Sequence, residues 1–176
     1  MPLVVFLRGV NVGGHKAFQP SALARQLGRL DVQSVGAAGT FIVCGNVGSR
    51  VARTEFSRHL PFDAHVMICP AAELVDLVRQ DPFPERVLGD DVKGFVSVLE
   101  HRPRGAPQLP IRQPEGKNWQ VTVIAVRGRF AVSLHRKTAG ALVYPNEVVE
   151  RRLRVVATTR SWNTIVKLYH ALEPRR

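Results

Sequence analysis

Residues 3–7, Leu-Val-Val-Phe-Leu, form an unbroken apolar run, the pattern of a strand buried on both faces. A glycine-rich stretch follows, and Pro20 then suits the first turn of a helix, where its missing N–H is harmless. Leu23, Leu27 and Leu30 recur at helical spacing, with a break near Gly28. Residues 32–35 and 41–44 read as two strands joined by Gly36-Ala37-Ala38-Gly39, a connection of hairpin length and composition. Thr54 is placed to cap a second helix running to Leu60, where Pro61 stops it, and residues 65–69 give a fourth strand. The order strand, helix, strand, strand, helix, strand predicts a split βαβ unit, an antiparallel sheet with both helices on one face.

The same element types recur less regularly afterwards. Pro70 is expected to open a helix carrying Leu74, Val75 and Val78, which ends before the turn-rich residues 81–84. A strand at 94–99 precedes residues 102–116, whose prolines at 103, 107, 110 and 114 predict an exposed, mobile excursion. Strands at 120–126 and 129–134 flank the turn signal Arg127-Gly128. Asn146 is placed to cap a helix bearing Val148, Val149 and Leu153, and Trp162, Ile165, Val166, Tyr169 and Leu172 form the apolar stripe of a last helix. The expected fold is α+β, with two ferredoxin-like halves, an N-terminal one over residues 1–69 and a C-terminal one over 70–176. On this reading the second half is a degenerate copy of the first.

Composition changes the picture little. Of the 176 residues, 45% are hydrophobic and 22% charged, the balance of a folded globular chain. No run approaches the ~18 apolar residues of a membrane helix, and the start lacks a basic, cleavable leader pattern, so a cytoplasmic protein with no membrane partner is expected. Cys44 and Cys69 lie in apolar runs and read as free buried thiols. The six histidines show neither H-E-x-x-H nor ligand spacing with cysteine or carboxylate, so no metal site is expected. No Gly-x-Ser-x-Gly elbow is present. Catalysis is left unassigned, and no cofactor is indicated.

Two polar segments stand out. Arg8-Gly9-Val10-Asn11-Val12-Gly13-Gly14-His15-Lys16 lies where a buried strand ends, with glycines that free the backbone to turn N–H groups toward an anion and a cation at each end. It is not a Walker A loop, since His15 holds the lysine position and Ala17 follows Lys16. Equally, Gly13-Gly14 makes a tight turn with Arg8 and Lys16 solvated. The second segment, residues 158–164, holds Thr159 and Ser161 as helix caps with Arg160 nearby, and Asn163, Lys167 and His170 share a polar helix face. Asn46 reads either as a site residue or as a turn residue.

The charge is uneven. Lys+Arg number 25 against 14 Asp+Glu, a net of +11, yet residues 1–88 carry only 9 against 7, and residues 89–176 carry 16 against 7. Arginines at 102, 104 and 112, around 127–136 and at 151–154 form a field that attracts nucleic acid by counterion release. With 7% aromatic residues, base stacking has little to work with.

Residues 7–16, Gly45-Asn46-Val47, Pro82-Phe83-Pro84 and residues 158–168 together resemble the bacterial domain-of-unknown-function 1697 family. The resemblance spans nearly the whole chain and implies an α+β protein of two ferredoxin-like halves, without an established activity. The chain departs from the family pattern at residues 136–145, where a Gly-rich loop with a Ser-Lys pair is usual, and at Cys44, where a serine is usual.

The leading expectation is a pocket for a small anionic ligand, a nucleotide or phosphometabolite, built from Arg8, Asn11, Gly13, Gly14 and Lys16 with Asn46, Arg160, Asn163 and Lys167. The alternatives are a nucleic-acid-binding module that uses the C-terminal arginines and a protein-interaction scaffold. The oligomeric state is not legible.

Overall fold

The structure, a computed structural model, describes residues 1–11, 14, 16–84, 87–138 and 142–173. In chain order its first half runs β1 (Leu3–Arg8), α1 (Pro20–Gln26), a 3-10 turn at Gly28–Leu30, β2 (Val32–Ser34), β3 (Thr40–Val43), α2 (Ser49–His59), β4 (His65–Pro70) and α3 (Ala71–Arg79). The second half runs β5 (Val92–Leu99), β6 (Ile111–Gln113), β7 (Val121–Arg127), β8 (Phe130–Arg136), α4 (Pro145–Leu153), β9 (Ala157–Ser161) and α5 (Trp162–Leu172). The chain divides into two compact units, Met1–Asp76 with Val166–Arg176, and Leu77–Ile165.

The first sheet has the order β2-β3-β1-β4, antiparallel throughout. β1 lies in its middle, which is why its apolar run is buried from Leu3 to Leu7. Leu3, Val5 and Leu7 face a core closed by Leu23 and Ala24 of α1, by Leu27 just past its end, and by Ala52 and Phe56 of α2. Phe56 is fully buried and meets Phe41 edge to face at 5.1 Å. Burying such a ring stabilises the fold by about 1.5–3 kcal/mol before the gain from its geometry.

The second sheet has the order β6-β7-β8-β5-β9, again antiparallel. Leaving β6 aside, β9-β5-β8-β7 repeats the chain-order relation of β4-β1-β3-β2. The fold is therefore mixed α+β with two antiparallel sheets, an order compatible with the ferredoxin-like arrangement expected. Val148, Val149 and Leu153 of α4 pack on Leu99, Val121, Val123 and Ala131.

Several expectations are corrected. α2 begins at Ser49, not near Thr54, whose hydroxyl instead donates back to the Arg50 carbonyl at 3.1 Å. Pro70 ends β4 opposite Leu3, and the helix expected to open there begins one residue later, at Ala71. Tyr144 is the N-cap of α4, with Pro145 in its first turn, while the Asn146 side chain accepts a bond from the Thr159 hydroxyl at 3.0 Å. Residues 157–161 form a strand. The proline-rich excursion carries β6, whose Ile111 is buried in the core. Cys69 is buried as expected, whereas Cys44 is exposed.

Outer strands are blunted. An Arg53 Nη1 of α2 donates to the Val66 carbonyl of β4. On β9 the Ala157 N–H donates to Glu150 Oε1 at 2.8 Å, and the Thr159 carbonyl accepts from Arg160 Nη1 at 2.9 Å. At the opposite margins β2 and β6 are three residues each. Among the described residues no helix is long and apolar enough to cross a membrane.

Candidate functional site

Arg8 closes β1 half-buried, directly opposite His65 at the start of β4. The chain then enters the loop of residues 9–16, of which residues 12, 13 and 15, and so Gly13 and His15, lie outside the described residues. Its backbone turns into the left-handed region at Gly9 (φ 67°), Asn11 (φ 53°), Gly14 (φ 77°) and Lys16 (φ 47°). For Asn11 and Lys16, which carry side chains, that conformation costs about 1–3 kcal/mol each unless the surroundings fix it.

The surroundings do fix it. Val10 is buried in the core, and Gly39 makes room for it: a Cβ there would lie 2.5 Å from Val10 Cγ2. The Asn11 side chain accepts from the Phe18 N–H at 2.9 Å and donates to the carbonyls of Phe18 at 3.1 Å and Ala37 at 2.7 Å. Both of its amide donors are therefore engaged, and the Asn11 N–H closes the loop onto the Lys16 carbonyl at 3.3 Å. Lys16 donates from Nζ to the Asp63 carbonyl and stands 5.9 Å over the Phe62 ring. Gly9, Gly14 and Lys16 remain exposed.

Beside this loop, where β4 begins, lies an open cleft of about 390 Å³ lined by Arg53, Ser57, Asp63, Ala64, His65 and Val66. None of these was singled out in the sequence. The register that sets His65 beside Arg8 is the signal that would have found it, and pairing two strands that far apart in the chain is invisible to local pattern.

The structure does not bring Asn46 to the loop. It is exposed just past β3, beyond the Leu3 end of β1, whereas the loop leaves from the Arg8 end. Six residues of strand separate those ends by roughly 17 Å. The glycine of that motif has a packing cause, because a Cβ on Gly45 would meet the Leu30 carbonyl oxygen at 2.6 Å. Next to it, partial desolvation and the Asp31 carboxylate hold the Cys44 thiol above the ordinary thiol range.

Arg160 and Asn163 lie in the second unit. Arg160 is 7% exposed, donates to Thr158 Oγ1 and the Thr159 carbonyl, each at 2.9 Å, and has its pKa pushed down to about 10 by burial. It remains a cation at neutral pH. Asn163 is exposed on the first turn of α5, beside a cleft of about 510 Å³ lined also by Asp90, Lys93, Phe95 and Ser161. Lys167 is exposed one turn further along. Ser161 accepts from the Thr164 N–H at 3.4 Å as a helix cap, as its position predicts. Trp162 packs on Phe83 at 5.0 Å, and Phe83 lies so close to Gly94 that a Cβ there would meet its ring at 2.7 Å. The Pro82-Phe83-Pro84 motif thus has a packing role. Among the described residues no cluster of His, Cys, Asp or Glu is arranged to hold a metal ion.

A family model described as a protein of unknown function, DUF1697, matches residues 1–127. No curated protein matches the chain significantly. Among solved structures, the conserved bacterial protein SP0830 from Streptococcus pneumoniae is similar with a TM-score of 0.59 at 14% identity, covering 98% of both chains. At that identity the likeness is one of fold.

Proposed function

The chain belongs to the DUF1697 family of proteins of unknown function, and we propose that it binds a small anionic ligand, a nucleotide or phosphometabolite, at the loop between Arg8 and Lys16. The observation that carries this reading is the conformation of the loop. Left-handed turns at Gly9, Asn11, Gly14 and Lys16 are held by the packing of Val10 and the hydrogen bonds of Asn11 and Lys16. Backbone that repeatedly enters this region forms concave nests of N–H groups that attract anions. A plain connector from β1 to α1 needs no such pinned geometry.

Within the reading, Gly14 supplies a backbone donor, while Arg8 and Lys16 supply charge. Asn11 positions the loop, its amide donors being already bonded within the chain. The adjoining cleft at Arg53 and His65 gives room for the uncharged part of the ligand. The reading does not draw on Asn46, Arg160, Asn163 or Lys167, and it is a claim of binding rather than turnover. A separate observation, the gathering of arginines from three chain segments at one end of the second sheet, favours nucleic acid as an independent second partner.

A thermal-shift screen of inorganic phosphate, nucleotides and phosphorylated metabolites tests the loop. A ligand at 100 times its dissociation constant adds about 2.7 kcal/mol of stability. That shift is expected to vanish in both Arg8→Gln and Lys16→Gln. The reading fails if no member of the screen shifts melting, or if the shift survives in both variants.

A further inference from the structure

Segments far apart in sequence meet where β5 leaves the second sheet, the β7–β8 hairpin turns and β9 enters. Leu99 donates to the Arg129 carbonyl at 2.8 Å and Glu100 to the Val156 carbonyl at 2.9 Å. Arg102 reaches the hairpin turn, its Nε lying 3.9 Å from where a Cβ on Gly128 would stand. This end therefore collects Arg102 and Arg104 from the excursion, Arg127 and Arg129 from the hairpin, and Arg151 and Arg154 from the end of α4. Among the described residues, Arg102, Arg104, Arg151 and Arg154 are exposed and make no ion pair. Of the carboxylates here, Glu100 is exposed two residues before Arg102, Glu150 accepts from the Ala157 N–H, and Glu115 lies 3.5 Å from Arg152.

We propose that this arginine end binds the phosphate backbone of duplex nucleic acid without reading its sequence. The proposal rests on the nucleic-acid reading above, narrows it to a duplex and to these residues, and is independent of the loop in the first unit. Three observations favour a nucleic-acid duplex over other polyanions. Residues 77–165 hold 12 Arg and only 3 Lys, and the planar guanidinium forks onto phosphate oxygens where an ammonium makes a point contact. No large hydrophobic residue is exposed among residues 99–104, 127–129 or 151–157, and Leu109, which shares a cleft with Arg152, is alone too little for a lipid surface to bury. Large rings for stacking are absent at this end among the described residues: Trp119 lies under Arg136 at 3.9 Å, beside the Val121 start of β7, at the opposite end of the hairpin, which leaves the exposed imidazole of His101. One small ring is no platform for successive bases, so a single strand gains little over a duplex.

Fluorescence anisotropy with two 20-base-pair duplexes of unrelated sequence, the matching single strands, and phosphatidylserine vesicles decides it. Both duplexes are expected to bind alike at 50 mM salt, more tightly than the single strands, with an affinity that falls steeply as salt rises. The combined Arg102→Gln, Arg104→Gln, Arg151→Gln chain should weaken binding at least tenfold and reduce the log–log salt slope by about 3, roughly one for each phosphate that is no longer neutralised. Lys93→Gln with Lys137→Gln, at the opposite end of β5 and β8, should leave the affinity within about twofold, since a cation strengthens binding only where the duplex lies. Absence of binding by every nucleic acid, with or without vesicle binding, overturns both the reading and the proposal. Preference for single strands, discrimination between the duplexes, or equal loss in both variants overturns the proposal while the reading stands. Circular dichroism confirms that the exposed substitutions leave the fold intact.

Discussion

The two sheets follow one plan: in each half the first strand lies between the third and the fourth, and the closing strand runs straight into a helix, Pro70 into Ala71 and Ser161 into Trp162. They differ at the first crossover. In the first half it is α1, whose Leu23 and Ala24, with Leu27 at its C-cap, seal the sheet face together with α2. In the second it is the proline-rich excursion, which contributes Ile111 to the core and adds β6 to the sheet margin instead of laying a helix on its face. The consequence is visible in side-chain type. Where the first sheet presents Val5, Leu7, Phe41 and Ile68 to helices, the corresponding face of the second carries Ser97, Ser133 and Thr159. The hydroxyls of Ser97 and Thr159 lie 2.6 Å apart, and the Ser133 hydroxyl, fully buried, has no partner among the described residues. One helix instead of two leaves a face that is part apolar and part hydroxyl-lined.

The comparison breaks most readily at its apolar side. Phe56→Ala should cost about 3–5 kcal/mol, more than Leu153→Ala at the rim of the second core, in urea titrations followed by far-ultraviolet circular dichroism. Equal losses would mean that a core closed by two helices holds α2 no more firmly than a one-helix core holds α4. Next come two glycines, one from each half. Gly45→Ala forces a Cβ against the Leu30 backbone oxygen and Gly94→Ala one against the Phe83 ring. Each should cost about 1–3 kcal/mol, the first more because a ring can tilt and a backbone cannot. Fluorescence reports the second selectively, since Trp162 packs on Phe83.

Asn11→Ala should cost about 2 kcal/mol, by stranding Phe18 and Ala37 backbone groups and leaving a left-handed residue unsupported, with Asn11→Gly losing less. A cost equal in both would place the whole effect in hydrogen bonds. The smallest effects carry opposite signs. Ser97→Ala should lose about 1 kcal/mol, while Ser133→Ala should be neutral or slightly stabilising, because it removes a buried hydroxyl that bonds nothing among the described residues. Matching losses in thermal melts would show that both hydroxyls are satisfied.

The first sheet was legible in the sequence because each of its long strands is continuously apolar and each connection is marked by glycine or proline. β9 was hidden because an edge strand with Thr158, Thr159, Arg160 and Ser161 reads as capping chemistry, and β6 because three residues between prolines give no period. The start of α2 was missed since its first turn, with Val51 half exposed, carries no apolar stripe. For the candidate site, the loop between Arg8 and Lys16 announced itself through glycine and charge. The distance of Asn46 from it, and the approach of His65 and of the three arginine segments, depend on strand register, which arises only when distant segments pair.

The side chains seated on the sheet margins bear on how the protein behaves in a concentrated solution. Arg53 on the Val66 carbonyl, and Glu150 and Arg160 on β9, occupy backbone groups that would otherwise template the strand of another molecule. Loss of Arg53, which is exposed, would be felt less in the melting temperature than in the concentration at which the protein begins to form intermolecular β-structure. Solubility and folding stability in this chain are thus under the control of different residues.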